Sequence, residues 1–348
     1  MPDGYSEVFV NIANALKTME VDCGDVGVYT DVDANGDMCA LANGGTVPVT
    51  PTQSAPSAPA SKPTASSPTP KPVQAPTRPA PEAEGGQVDY TFTTAGKEAG
   101  LIANDVKEMA SSSVTNAKTI YNNGKSSTTS LESLSTNASS RYGQGRLYNI
   151  FRFAFRDEPV FVDGGIGSLA DSSYGNTVIS KALEIAEDTD LAAVASVALN
   201  TWMESVHQLE QAVLSCTDSS IDGALAMDTA AGYYIGAGQI KGSSNGNLMY
   251  AMAEEAADRF GEGSGEASSN SIIMSHFRDA KDLVDSCSGG SPPIQLRRAV
   301  DKIIAQMNVP LIRQLVYYMN AATAKDKSEL ENFIELYALS TVPQVAGC

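Results

Sequence analysis

Proline divides this chain before any other feature does. Eleven of its 17 prolines fall between Pro48 and Pro81. Proline fixes φ and has no N–H, so at this density it enters neither a helix interior nor a sheet ladder. The rest of the stretch is mostly Ala, Ser, Thr, Lys and Gln without an aromatic residue, and such a segment cannot bury a core. Residues 48–86 are therefore expected to form a disordered, extended, partly polyproline linker. The Ser/Thr-Pro mixture suits an O-glycosylated stalk of a secreted protein and suits an unmodified spacer equally. The linker leaves a short piece, 1–47, and a piece of 262 residues, 87–348, long enough for one large domain with a full core.

Within 87–348 the apolar residues recur at helical spacing. Gly96 to Asn122 reads as one long helix, with Ile102, Val106, Met109, Val114, Ala117 and Ile120 on its apolar side. Shorter helices are expected at 130–140, 176–187, 222–235, 248–260, 271–286 and 327–339, and long ones at 190–216 and 293–319. Asp188, Thr189 and Asp190 are capping candidates for the helix at 190–216. Gly- and Ser-rich loops separate the helices, and strand-like alternation is nearly absent. The predicted class is all-α, a multi-helix bundle or paired-helix array.

The five cysteines are Cys23, Cys39, Cys216, Cys287 and Cys348. Pairing 23 with 39 and 216 with 287 would leave Cys348 alone at the last position, with a partner elsewhere. A weak internal repeat fits that picture. Ser6 to Leu16 running into Cys23 resembles Ser328 to Leu339 running into Cys348. On this reading, residues 1–47 are the C-terminal tail of a preceding domain copy. The opening Met1-Pro2-Asp3-Gly4 has neither a basic nor an apolar leader region, so no signal peptide is expected there. The longest apolar run, Leu191 to Leu199, is far too short to span a membrane.

The formal net charge is −18, and the linker contributes none of the deficit. An acidic surface repels phosphate, which argues against nucleic acid and anionic membranes as partners and favours cations. Between Asp157 and Asp228 stand 13 acids against one base, Lys181. A solvated acidic face explains most of them. Within the belt, Glu204, His207 and Glu210 are spaced i, i+3 and i+6. Glu-x-x-His is how helix bundles present a carboxylate and an imidazole to iron, although a lone His at a core boundary is the plainer reading. Asp228, Tyr233 and Tyr234 supply the oxygen donors that suit ferric iron, with tyrosine in the core as the plainer reading. Asp31 to Asp37 begins like a calcium loop, but Ala42 stands where the bidentate Glu should be. With only His207 and His276, a zinc site built of several histidines is excluded. No nucleophile elbow, phosphate loop or dinucleotide fingerprint occurs, so a binding module rather than an enzyme is expected.

The stretch from Ala226-Met227-Asp228 through Tyr233-Tyr234-Ile235-Gly236, followed by Gly242 to Ala253, resembles the algal iron-assimilation family. These are the low-iron-inducible periplasmic proteins, with the high-CO₂-inducible extracellular protein and the phytotransferrins as relatives. Ala117 to Ser126, Leu134-Ser135-Thr136 and Asn308 to Arg313 extend the likeness, which covers roughly 90–348. The resemblance implies a secreted, periplasmic or cell-surface helical protein that assists iron uptake and binds ferric iron with carbonate as a synergistic anion. It carries the ligand set Asp228 and Tyr234 with His207, Glu204 and Glu210. Gly232, inside the Asp-to-Tyr segment, departs from the pattern. Two other readings are a structural helical repeat of a cell wall or surface coat, and a CO₂-responsive extracellular protein.

Overall fold

The computed structural model describes residues 87–140, 174–262, 265–287 and 292–324, together with Phe333, Leu336 and Tyr337. The proposed tail with Cys23, Cys39 and the loop at Asp31, the linker, the stretch 141–173 and Cys348 lie outside the described residues. The helices are α1 (Thr94–Gly100), α2 (Ile102–Ser111), α3 (Val114–Asn123), α4 (Leu131–Ser140), α5 (Tyr174–Glu184), α6 (Thr189–Ala195), α7 (Trp202–Leu214), α8 (Gly223–Ile235), α9 (Met249–Arg259), α10 (Ser268–Asp285) and α11 (Ile294–Ala324). A π-helical segment, Ser196–Thr201, joins α6 to α7. Among the described residues 73% are helical, and strand pairing is confined to one bridge between Gln87 and Ile240. The fold is all-α. No helix among the described residues is long and apolar enough to cross a membrane.

Two of the long helices expected from periodicity are interrupted, each for a local reason. The run from Gly96 breaks into α1, α2 and α3. Ser112 is extended (φ −94°, ψ 166°), and the Ser113 hydroxyl accepts the N–H of Asn116, so the Ser111-Ser112-Ser113 triplet ends one helix and caps the next. The run from Asp190 continues, but through the π segment, where an extra residue is accommodated in the turn. All six residues of that segment are buried. Asn200 Nδ2 donates to the Leu131 carbonyl at 2.8 Å, and the Ser196 and Thr201 hydroxyls bond the carbonyls of Ala192 and Val197. α11 runs past its expected end to Ala324 and contains Pro310.

Helix α8 lies at the centre, packed against α1, α7, α9 and α10. Its sequence, GALAMDTAAGYYI, is apolar nearly all round, as a helix buried on most sides requires. Small residues let its neighbours approach closely. A Cβ added at Gly232 would fall on the carbonyl oxygen of Gly96, and one added at Gly96 would lie 2.8 Å from the carbonyl oxygen of Asp228. Gly232, the departure from the resembled pattern, is thus where α1 crosses α8. At one end of the bundle the disulfide Cys216–Cys287 links the segments after α7 and α10. The pairing of the remaining three cysteines lies outside the described residues.

Replacing Gly232 with Ala should gain about 1 kcal/mol of helix propensity. It should lose more, about 1–3 kcal/mol net, by forcing α1 off α8. Urea unfolding measures this, and an unchanged or raised midpoint contradicts the close crossing. Removing the disulfide as the Cys216→Ala, Cys287→Ala pair should cost more. Its half-cystines are 71 residues apart, and opening a loop of that length returns roughly 4 kcal/mol of chain entropy to the unfolded state. A loss of about 2–4 kcal/mol in the same assay is expected.

Candidate functional site

The three sequence-predicted residues of α7 are all buried, with 5–8% of their surface exposed. Glu204 Oε1 accepts a hydrogen bond from Gln208 one turn on, at 2.8 Å. Glu210 is held by a fork: Arg297 Nη1 and Nη2 of α11 donate to its two carboxylate oxygens, each at 2.7 Å. This bidentate geometry is the strongest form of carboxylate–guanidinium pairing. It ties α7 to α11 and uses both oxygens that a metal would need. Burial lowers the Arg297 guanidinium, but Glu210 and Asp301 outweigh it and hold it above its ordinary value.

Asp228, fully buried on α8, is the hub of a second arrangement. Tyr90 Oη and Lys281 Nζ donate to its Oδ1 at 2.9 and 2.6 Å, and the Thr93 backbone N–H donates to Oδ2 at 2.8 Å. Burial alone works to raise the carboxyl. The Lys281 ammonium and the Thr93 and Tyr90 donors prevail and hold it below the usual carboxylate range. Lys281 also donates to the Thr91 carbonyl at 2.9 Å, and Arg278 pairs with Asp89. Residues 87–93, just after the linker, are thereby strapped across α8 and α10.

Tyr234, fully buried six residues along α8, faces different partners. Its hydroxyl donates to Asn270 Oδ1 of α10. Asn270 Nδ2 donates to Glu254 Oε1 of α9 at 2.7 Å and to the Tyr250 carbonyl at 2.9 Å. Glu254 also accepts the Ala267 backbone N–H at 3.0 and 3.1 Å, which anchors the start of α10. Tyr250 donates to Glu266 at 2.8 Å, and Lys241 lies 3.3 Å from the other Glu266 oxygen. The Tyr234 and Tyr250 rings meet edge to face with centroids 6.3 Å apart. Two phenols, two carboxylates and a carboxamide therefore gather where α8, α9 and α10 meet. Burial, then Tyr250, Glu254 and Glu266, pushes the Tyr234 hydroxyl well above its ordinary value. Burial raises the Glu254 carboxyl to about 7, against the opposing pull of Asn270 and Ala267.

The sequence-predicted ligands are therefore spread over three polar arrangements. Glu204, His207 and Glu210 share α7; Asp228 belongs to the strap; Tyr234 joins the Tyr250–Glu254 cluster. Tyr233 is buried on α8 with 6% of its surface exposed. Among the described residues no group of three or more His, Cys, Asp or Glu side chains is placed to hold a metal ion. Three acids of the belt serve the backbone. Asp188 and Asp222 accept the N–H groups of Leu191 and Leu225 as helix caps, and Asp218 accepts from the Ser220 N–H and hydroxyl. Sequence reasoning passes over Glu254, Glu266 and Asn270. The available signal is that Tyr250 and Glu254 stand four apart, on one face of a helix.

The chain matches no protein-family model, no curated protein and no solved structure.

The cluster has a definite pH signature. Glu254 ionises near 7 when folded and at 4.5 ordinarily. Between those values the native state retains a proton that the unfolded chain has lost. Its stabilising effect is full below pH 4.5 and gone above about 7. Replacing Glu254 with Gln should remove this dependence. The stability of the native protein relative to the variant should fall by on the order of 3 kcal/mol from pH 4.5 to 7.5. A constant difference in urea unfolding across that range would show that Glu254 is not buried as described. Asp228, lowered rather than raised, contributes in the opposite sense and only below the ordinary carboxylate range.

Proposed function

We propose that this chain is part of a secreted or cell-surface protein that assists iron uptake by binding ferric iron, with carbonate as a synergistic anion, and that it is a binding protein rather than an enzyme. The observation that carries the reading is the Tyr234–Tyr250–Glu254–Glu266 cluster. Ferric iron is a hard cation that prefers phenolate and carboxylate oxygen, and the cluster holds two phenols and two carboxylates. Tyr234 and Tyr250 both lie in the stretch that resembles the iron-assimilation family. The disulfide supports an oxidising compartment, and the net negative charge favours accumulation of cations. Iron binding at the cluster would displace the phenolic protons and the Asn270 link, so loading should be favoured by higher pH.

Titration of the full chain with ferric nitrilotriacetate, with and without bicarbonate, tests this. A phenolate-to-iron charge-transfer band in the visible should appear with about one equivalent of iron. It should weaken in Tyr234→Phe and in Tyr250→Phe, and be stronger with bicarbonate. Absence of the band, with no iron retained after gel filtration, overturns the proposal.

A structural reading, a helical domain of a cell wall or surface coat, draws on a different observation. Arg297 and Lys281 engage Glu210 and Asp228 as ties between helices. In that case no iron is retained, and the native protein fractionates with the wall.

A further inference from the structure

The molecule has a second feature, unrelated to the tyrosine–carboxylate cluster. A cavity of about 330 Å³ lies among α2, α6, α9 and α11, a volume in the range of small-molecule sites. Small residues, Ala110, Ala193, Gly246 and Ala251, are part of its lining. One wall is aromatic. Tyr318 stacks nearly parallel with Phe333, with centroids 5.0 Å apart, and with Tyr337 at 5.6 Å. Another wall is the loop 244–248, which contributes Ser244, Gly246, Asn247 and Leu248. That wall is fixed in advance. Gln239 Nε2 donates to the carbonyls of Ile240 and Ser243 at 2.8 and 2.7 Å. Its Oε1 occupies the place that a Cβ on Gly246 would need, so a larger residue there would displace this amide.

Among the described residues of the lining, the charged side chains are the carboxylates of Asp190 and Glu255, with no Lys or Arg. Glu255 is engaged by Arg259 at 2.6 Å and Gln314 at 3.0 Å. Asp190, in the exposed first turn of α6, has no ion-pair partner among the described residues. The aromatic surface already accommodates one cation. The Arg259 guanidinium stands 4.2 Å from the Tyr317 ring centroid and 5.3 Å from that of Tyr318. Aromatic rings attract cations through their quadrupole, more strongly when water is excluded.

We infer that this cavity is a binding site for a small organic cation with an apolar or aromatic body. The body would be received by the small-residue hollow, and the ammonium by the aromatic wall and Asp190. The uncharged isostere of such a ligand fills the same hollow but gains nothing from the carboxylate or the rings.

The test uses the full chain with phenethylammonium and its uncharged counterpart 2-phenylethanol, by saturation-transfer NMR and isothermal calorimetry. Phenethylammonium should bind at least about tenfold more tightly. Asp190→Asn, at an exposed position, should weaken the cation severalfold and leave 2-phenylethanol unchanged. Val194→Trp, which fills the half-buried rim, should abolish binding of both while circular dichroism stays native. Absence of binding, equal affinity for the two probes, a cation affinity indifferent to Asp190→Asn, or binding that survives a folded Val194→Trp each overturns the inference. The iron titration is independent of this result, since no residue is shared between the cavity lining and the cluster.

Discussion

A carboxylate with no exposed surface, Asp228, sits on the helix that four others pack against. Leaving such a charge unpaired would cost several kcal/mol, and removing one partner of a buried pair typically costs about 3–5 kcal/mol. The fold meets this demand with three donors from two directions: Lys281 from α10, and Tyr90 and the Thr93 N–H from the segment before α1. The position of residues 87–93 follows from that need. Those residues also pair with the loop after α8, through Val88 N–H to the Gln239 carbonyl. The chain thus passes from proline-rich linker to domain at a point held by a buried charge. The hydrophobic core beneath would not by itself fix the register of so short a segment.

The same logic changes the meaning of the acidic belt. On sequence alone its density points outward, to solvent and cations. In the fold, Asp188, Asp218 and Asp222 satisfy backbone N–H groups at turns and helix starts, while Glu210 and Asp228 lock helices through Arg297 and Lys281. Carboxylates at helix N-termini are favoured by the unsatisfied donors and the dipole there. A domain of short helices with many starts therefore accumulates Asp for structural reasons. The long-range field of the net charge remains and still favours cations near the surface.

How much of this is legible in the sequence depends on the range of the interaction involved. The all-α class follows from local pattern; of the three capping candidates Asp188, Thr189 and Asp190 the structure uses Asp188, and of the two cysteine pairs considered it contains Cys216–Cys287. The breaks at Leu101 and Ser112 are hidden because apolar periodicity runs straight through them. The competing signal, a serine triplet, acts through side-chain capping that a periodicity argument ignores. The candidate ligand set mixes two kinds of evidence. Spacing on one helix puts Glu204 and His207 on one face of α7 and turns Glu210 away from it. It cannot say that Arg297, 87 residues away, faces Glu210. Asp228 and Tyr234 share α8, yet one turns to the strap and the other to Asn270. Side chains six apart on a helix point in directions that differ by about a third of a circle, and different neighbours decide their chemistry.

Gly232 shows how a departure from a sequence pattern acquires a physical cause. A glycine inside a helix costs about 1 kcal/mol relative to alanine, and this one stands on α8 between Asp228 and the pair Tyr233 and Tyr234. The crossing of α1 over α8 at Gly96 and Gly232 brings the start of α1 close to Asp228, and the N–H of Thr93, the cap of α1, reaches its carboxylate. The absence of one side chain is thus what allows the buried charge to be satisfied. The loop after α8 works on the same principle: Gly246 gives way to the Gln239 amide, and that amide holds the wall of the cavity between α6 and α9. Close backbone approach, made possible by glycine, precedes and positions the polar chemistry at both places.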